Sequence, residues 1–113
     1  MPISERKDPD LTIIIPVLDE DESIPELVDR IRSVCDGAGF SFNVWFVDDG
    51  SNDDSWDVIA TMHERDARFA GLKLRRNYGK SAALALGFER ADGKYVVTMD
   101  GDLQDDPAEI PGL

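Results

Sequence analysis

Leu11-Thr12-Ile13-Ile14-Ile15-Pro16-Val17 is a continuous apolar, largely β-branched run bounded by charged residues. A strand buried on both faces reads this way, because both alternating sets of side chains must then be apolar. Downstream, Ser23 is expected to open a helix, with Glu26 three residues on as in a capping box and Pro25 in the first turn. Ile24, Leu27, Val28, Ile31, Val34 and Cys35 recur at helical spacing, and Gly37 and Gly39 are expected to end the helix. A second strand is predicted over 42–47, and a second helix from about Asp54 to Arg65 with Trp56, Ile59, Ala60 and His63 inward. A short strand from Gly71 to Leu74, a helix from Ser81 to Ala91 and a strand from Tyr95 to Met99 complete the series.

Alternation of strand and helix defines an α/β fold, a Rossmann-like, mostly parallel sheet with flanking helices. Right-handed crossovers bring the C-terminal ends of all strands to one edge, where such sheets bind ligands. This chain places acidic residues after three of its four strands: Asp19 and Glu20, Asp48 and Asp49, Asp100 and Asp102. Six carboxylates gathered at one edge repel one another unless a cation or hydrogen-bond donors stand among them.

Composition narrows the function. The 113 residues suffice for one compact domain, and their formal net charge is −12. That surface suits no nucleic-acid partner, whose phosphates need a basic face. No apolar run approaches the roughly 20 residues of a membrane span. Residues 1–10 form a polar N-terminal tail without the apolar centre of a secretory signal. Cys35 is the lone cysteine and His63 the lone histidine, so neither a disulfide framework nor a zinc cluster is expected, and a reducing, cytoplasmic setting is the default.

Asp100-Gly101-Asp102 follows a strand directly, and its alternate carboxylates could converge on one Mg²⁺ or Mn²⁺, with Gln104 as a further neutral oxygen. The same tripeptide is also an ordinary acidic turn. Asp48-Asp49-Gly50-Ser51 could accept hydrogen bonds from a nucleobase and a ribose, or could simply be a strand-to-helix turn capped by Ser51 or Asp53. Pro16 lacks a ladder N–H, so the first strand is expected to stop pairing there and turn toward the cleft. Lys73, Arg75, Arg76 and Lys80 concentrate basic charge in eight positions, either as counter-charge for the carboxylates or a ligand's phosphates, or as solvated surface. Gly79-Lys80-Ser81 is not a P-loop, because Leu74 stands where its earlier glycine is required.

Taken together, Ile15-Pro-Val-Leu-Asp-Glu-Asp-Glu-Ser-Ile24, Val47-Asp-Asp-Gly-Ser-Asn-Asp53, Arg76-Asn-Tyr-Gly-Lys80 and Thr98-Met-Asp-Gly-Asp-Leu-Gln-Asp-Asp-Pro107 resemble the family-two glycosyltransferases of the GT-A fold, polyprenyl- and dolichyl-phosphate sugar synthases in particular. The resemblance implies that residues 11–113 are the nucleotide-sugar-binding, N-terminal portion of such a domain. It implies transfer of a sugar from a UDP- or GDP-linked donor to a polyprenyl phosphate at the cytoplasmic face of a membrane, as in cell-envelope synthesis. Asp100, Asp102 and Gln104 would contact the metal, and Asp48 the base. Pro16 and Glu20 would line the nucleotide pocket, with Arg76 and Lys80 near the phosphates. Asp19 departs from the asparagine usual in relatives. Relatives run to more than twice this length, so the catalytic base and acceptor groove are expected beyond Leu113, and the chain is expected to be truncated or a remnant that binds donor without transferring sugar. Two alternatives remain open at this stage: a non-catalytic nucleotide-sugar-binding module, and a receiver-type phospho-acceptor domain. The second lacks an aspartate after its third strand.

Overall fold

In a computed structural model of the chain, which describes residues 9–103 and 107–112, the apolar run forms β1, Leu11–Val17, with every residue buried. Next come α1 (Ile24–Ala38), β2 (Phe42–Asp48), α2 (Ser55–Arg65), β3 (Phe69–Lys73), α3 (Lys80–Arg90) and β4 (Tyr95–Thr98). A 3-10 helix, Pro107–Gly112, closes the described chain. The sheet is wholly parallel in the order β3-β2-β1-β4, with Ile13 level with Val44 on one side and Val97 on the other. β1 is thus central because its sequence is apolar on both faces.

Leu11, Ile13, Ile15 and Val17 share a cluster with Ile24, Leu27 and Ile31 of α1 and with Ile59 and Met62 of α2. Ile14 points the other way and packs with Val47 and with Ala83 of α3. Burying one such aliphatic side chain contributes about 1.5–3 kcal/mol. The chain steps from β1 to β2 to β3 on one side and then returns by α3 across the opposite face to β4. This reversal opens a crevice beyond the C-terminal ends of β1 and β4.

Several expectations are corrected. Pairing of β1 with β2 continues through Pro16 and Val17, opposite Val47 and Asp48. On the β4 side pairing ends at Ile14 and Thr98. The Met99 N–H bonds to the Ile14 carbonyl at 3.0 Å, and the Asp49 N–H to that of Val17 at 2.8 Å. Hydrogen-bonding groups alternate sides along a strand, so the missing Pro16 N–H falls on the β4 side, where no ladder remains to be broken. The helix α1 runs through Gly37 and ends at Gly39, whose φ of 78° is left-handed. Ser23 makes no side-chain cap; its hydroxyl turns to the backbone of Glu20 and Gly101 instead. On α2 Ser55, Ile59 and Met62 are buried and Trp56 packs half-buried against the core as expected, while Ala60 and His63 are exposed. The third strand starts at Phe69, a core residue, two positions before the expected Gly71.

Candidate functional site

Three loops meet at the C-terminal edge of the sheet, and hydrogen bonds across large sequence separations fix them together. In the β1–α1 loop, Asp19 has φ 54°, a left-handed conformation that aspartate and asparagine tolerate better than most residues. Its N–H donates to Ser51 Oγ at 2.9 Å, and its Oδ1 accepts from the Asn52 N–H at 2.7 Å. The Glu20 N–H donates to Ser55 Oγ at 2.9 Å, which explains why a polar side chain is buried at the start of α2. Ser23 Oγ donates to the Gly101 carbonyl at 2.5 Å and ties the Asp100–Asp102 turn to α1.

The β2–α2 loop grips the segment before α3. Asp49 is buried, and its two carboxylate oxygens accept the N–H groups of Tyr78 and Gly79 at 2.8 and 3.0 Å. Gly50, at φ 81°, allows this approach: a Cβ there would lie 2.5 Å from the Arg76 carbonyl carbon and the Asn77 nitrogen. Lys80 consequently begins α3 with its Nζ 2.5 Å from Asp100 Oδ1.

A cavity of about 440 Å³ lies among these loops. Of the residues singled out from sequence, Pro16, Glu20, Asp49, Lys80, Asp100 and Asp102 line it together. Leu18 and Asn77 line it as well. Asn77 sits inside the Arg76–Lys80 segment, yet nothing in its spacing marks it; only the Asp49 clip brings it to the cavity. Asp48 is fully buried and outside the lining, with Oδ1 accepting from the Ser51 N–H at 2.9 Å and Oδ2 buried without a hydrogen-bond partner. Arg76 also stands outside the lining, its guanidinium 4.7 Å from the Tyr78 ring centre on the exposed surface. Lys73 lies 5.9 Å from the Trp56 ring, so within the basic cluster Lys80 is the side chain that reaches the cavity. Gln104 lies outside the described residues.

The electrostatics follow from this crowding. Glu20 Oε1 accepts from the Leu18 N–H at 3.2 Å, while Oε2 is buried with no hydrogen-bond partner. Burial pushes the Glu20 carboxyl above its ordinary value, and the charges of Asp102, Asp100 and Asp53 push it the same way against the Leu18 hydrogen bond. A Cβ on Gly101 would come within 3.1 Å of Glu20 Oε2, so glycine lets the two aspartates bracket this carboxyl closely. Hard carboxylate oxygens at Asp100 and Asp102 suit Mg²⁺ or Mn²⁺. Among the described residues no group of three or more histidine, cysteine, aspartate or glutamate side chains is placed to hold a metal ion. A divalent ion at two carboxylates therefore fits only if diphosphate oxygens and water complete its shell, the arrangement Mg²⁺ commonly takes. A larger groove of about 790 Å³ runs along β4 past Leu11, Phe40, Tyr95 and Ile110, and among the described residues Asp10 is the charged one that lines it.

A parallel Rossmann-like sheet with a carboxylate-lined crevice at the switch of strand order defines an α/β protein of the class that binds its ligands outside the C-terminal strand ends. The chain belongs to glycosyl transferase family 2, whose description matches residues 12–113. It is 45% identical over 104 residues to the undecaprenyl-phosphate 4-deoxy-4-formamido-L-arabinose transferase of Pseudomonas syringae pv. syringae (strain B728a), a match covering 91% of this chain and 31% of that protein. The protein of the same name from Salmonella paratyphi B is 38% identical, with 91% and 32% covered. The chain thus spans about a third of the length of these relatives. Among solved structures, the mannosyltransferase PcManGT from Pyrobaculum calidifontis in complex with GDP-Man and Mn²⁺ superposes with a TM-score of 0.69 at 27% identity, covering 85% of this chain and 28% of that one. Glucosyl-3-phosphoglycerate synthase from Mycobacterium tuberculosis shares the fold, with a TM-score of 0.68 at 23% identity over 91% of this chain and 38% of that one. The expected GT-A architecture is the one these neighbours have. Family membership removes the receiver-type alternative.

Proposed function

We propose that residues 11–113 form the donor-binding part of a glycosyltransferase that moves a sugar from a nucleoside diphosphate to a polyprenyl phosphate. The carrying observation is the convergence of Glu20, Lys80, Asp100 and Asp102 on one crevice at the strand-order switch of a family 2 chain. Support for the acceptor and the sugar comes from the undecaprenyl phosphate and formamido-arabinose in the names of the Pseudomonas and Salmonella relatives. Such an acceptor puts the reaction of the whole enzyme at the cytoplasmic face of a membrane, although none of the described helices here is long and apolar enough to cross one.

In this reading Asp100 and Asp102 would hold Mg²⁺ or Mn²⁺, and the family resemblance adds Gln104, outside the described residues, as a third ligand. A divalent ion bound there would supply neutralisation of the negative charge on a nucleoside diphosphate leaving group, worth several kcal/mol. Lys80 adds a second positive charge beside the phosphates. Pro16 and Leu18 wall the nucleotide, and the Glu20 carboxyl closes the floor beneath the Asp100–Asp102 turn. Asp48 and Arg76 keep the base and phosphate roles that the family resemblance implies, although neither lines the cavity in this structure. No catalytic base is assigned within this chain; donor binding is the step proposed for it alone.

Calorimetric titration with UDP-glucose and GDP-mannose, with and without Mn²⁺, tests this. Metal-dependent binding of one donor, abolished in Asp102→Asn, is the expected result. Donor binding that is indifferent to both Mn²⁺ and Asp102 would remove the metal reading, and binding of neither donor would count against the site itself.

A further inference from the structure

Lys80 holds a position that the donor site would contest. Its ammonium lies 2.5 Å from Asp100 Oδ1, inside the same crevice as Asp102 and Glu20. Its backbone is not free to follow the side chain: α3 starts at Lys80, and the preceding Gly79 N–H is held by Asp49. The lysine stem is flexible and 62% exposed, so the head can leave Asp100 without disturbing the helix. We propose that Lys80 is the resident counter-ion of the acidic edge, occupying Asp100 until metal and nucleoside diphosphate arrive together. This deepens the donor-site reading above and rests on it.

The argument is one of charge balance. A divalent ion arriving alone competes with the ammonium for Asp100 and sits beside it, like charge against like. A diphosphate arriving with the ion brings negative charge that draws the ammonium from the carboxylate to the phosphate oxygens. Lys80 therefore weakens metal binding in the absence of nucleotide and strengthens nucleotide binding in the presence of metal. The two ligands become thermodynamically coupled, and the coupling is reciprocal. One carboxylate of the empty crevice, Asp100, thus keeps a counter-charge, and free divalent cation does not saturate the site.

The test measures Mn²⁺ affinity of the 113-residue chain by electron paramagnetic resonance of free Mn²⁺, first with MnCl₂ alone and then with UDP or GDP. Lys80→Met is expected to bind Mn²⁺ about fivefold more tightly without nucleotide, the order of one exposed ion pair. The same variant is expected to bind nucleoside diphosphate more weakly with Mn²⁺ present, so the sign of the effect reverses between the two arms. Lys80→Arg keeps the charge and should stay near the parent in the metal-only arm. Unchanged or weaker Mn²⁺ binding by Lys80→Met, with Mn²⁺-dependent nucleotide binding intact in the parent, overturns this inference and leaves the donor site standing. A parent chain that binds neither Mn²⁺ nor nucleotide overturns both.

Discussion

Replacing Gly50 with alanine tests how the site is built. Gly50 sits at φ 81°, and its added Cβ would lie 2.5 Å from backbone atoms of both Arg76 and Asn77. Holding alanine in a left-handed conformation costs about 1–2 kcal/mol. The close contact is with backbone, so it is relieved only by moving the segment that Asp49 holds through the Tyr78 and Gly79 N–H groups. Hydrogen bonds to a charged carboxylate contribute about 1.5–3 kcal/mol each, and weakening the pair brings the expected loss to about 3–5 kcal/mol. A chain of this size is stable by roughly 6–17 kcal/mol in total, so the loss is large but measurable. Urea unfolding followed by circular dichroism gives the value from the shift in midpoint at constant slope. Gly39→Ala is the control: it is left-handed at φ 78° with nothing within 4 Å of the new Cβ, so only the conformational part should appear. Equal losses in the two variants, both near 1 kcal/mol, would refute the claim that Gly50 permits a close loop approach.

Other substitutions probe separate parts of the account. Gly37→Ala lies within α1 with nothing within 4 Å of its Cβ, and should stabilise the chain by about 0.5–1 kcal/mol in the same urea assay. Arg68→Met removes the hydrogen bonds that hold Asp66 and Asp36 below their usual carboxylate range and the cation stacked 4.3 Å from the Phe42 ring. The loss at pH 7 should be about 1 kcal/mol. Because both carboxyls are lowered from 3.8, their part of the loss is complete above that pH and disappears as pH falls through the lowered values, so the gap between parent and variant should narrow in acid to what the Phe42 contact supplies. Glu20→Gln has the opposite pH behaviour. The parent's ionised Glu20 is disfavoured by burial and by Asp102 and Asp100, so the variant should melt higher at pH 7. That gain should vanish as pH falls through the raised Glu20 value toward 4.5, where the parent carboxyl is itself neutral.

Local pattern carried the strands and helices because their signals are local. β1 is apolar at every position but Thr12, and α1 shows one apolar stripe, so neither depends on knowing its neighbours. Sequence misread the inner face of α2 because hydropathy favours Ala60 over Ser55, whereas the fold buries Ser55 to receive the Glu20 N–H. Ser23 misled in a related way: a capping box is a four-residue motif, but its hydroxyl found the Gly101 carbonyl 78 positions away. At the site, the carboxylates were legible because each follows a strand, and parallel topology carries strand ends to one edge. The selection of Lys80 over Lys73, Arg75 and Arg76 was not legible. It depends on the Asp49 clip and the Gly50 approach, contacts between residues about thirty apart that leave no periodic trace.

Paramagnetic broadening by Mn²⁺ in amide NMR spectra, recorded with a saturating nucleoside diphosphate, tests the location of the site most directly. The account predicts broadening first at Leu18, Gly79, Lys80 and Gly101 around the crevice, with Phe40, Ser41 and Gly93 at the opposite end of the sheet unaffected. Broadening centred on that opposite end, or spread evenly over the acidic surface, would contradict a metal and nucleotide site between the ends of β1 and β4.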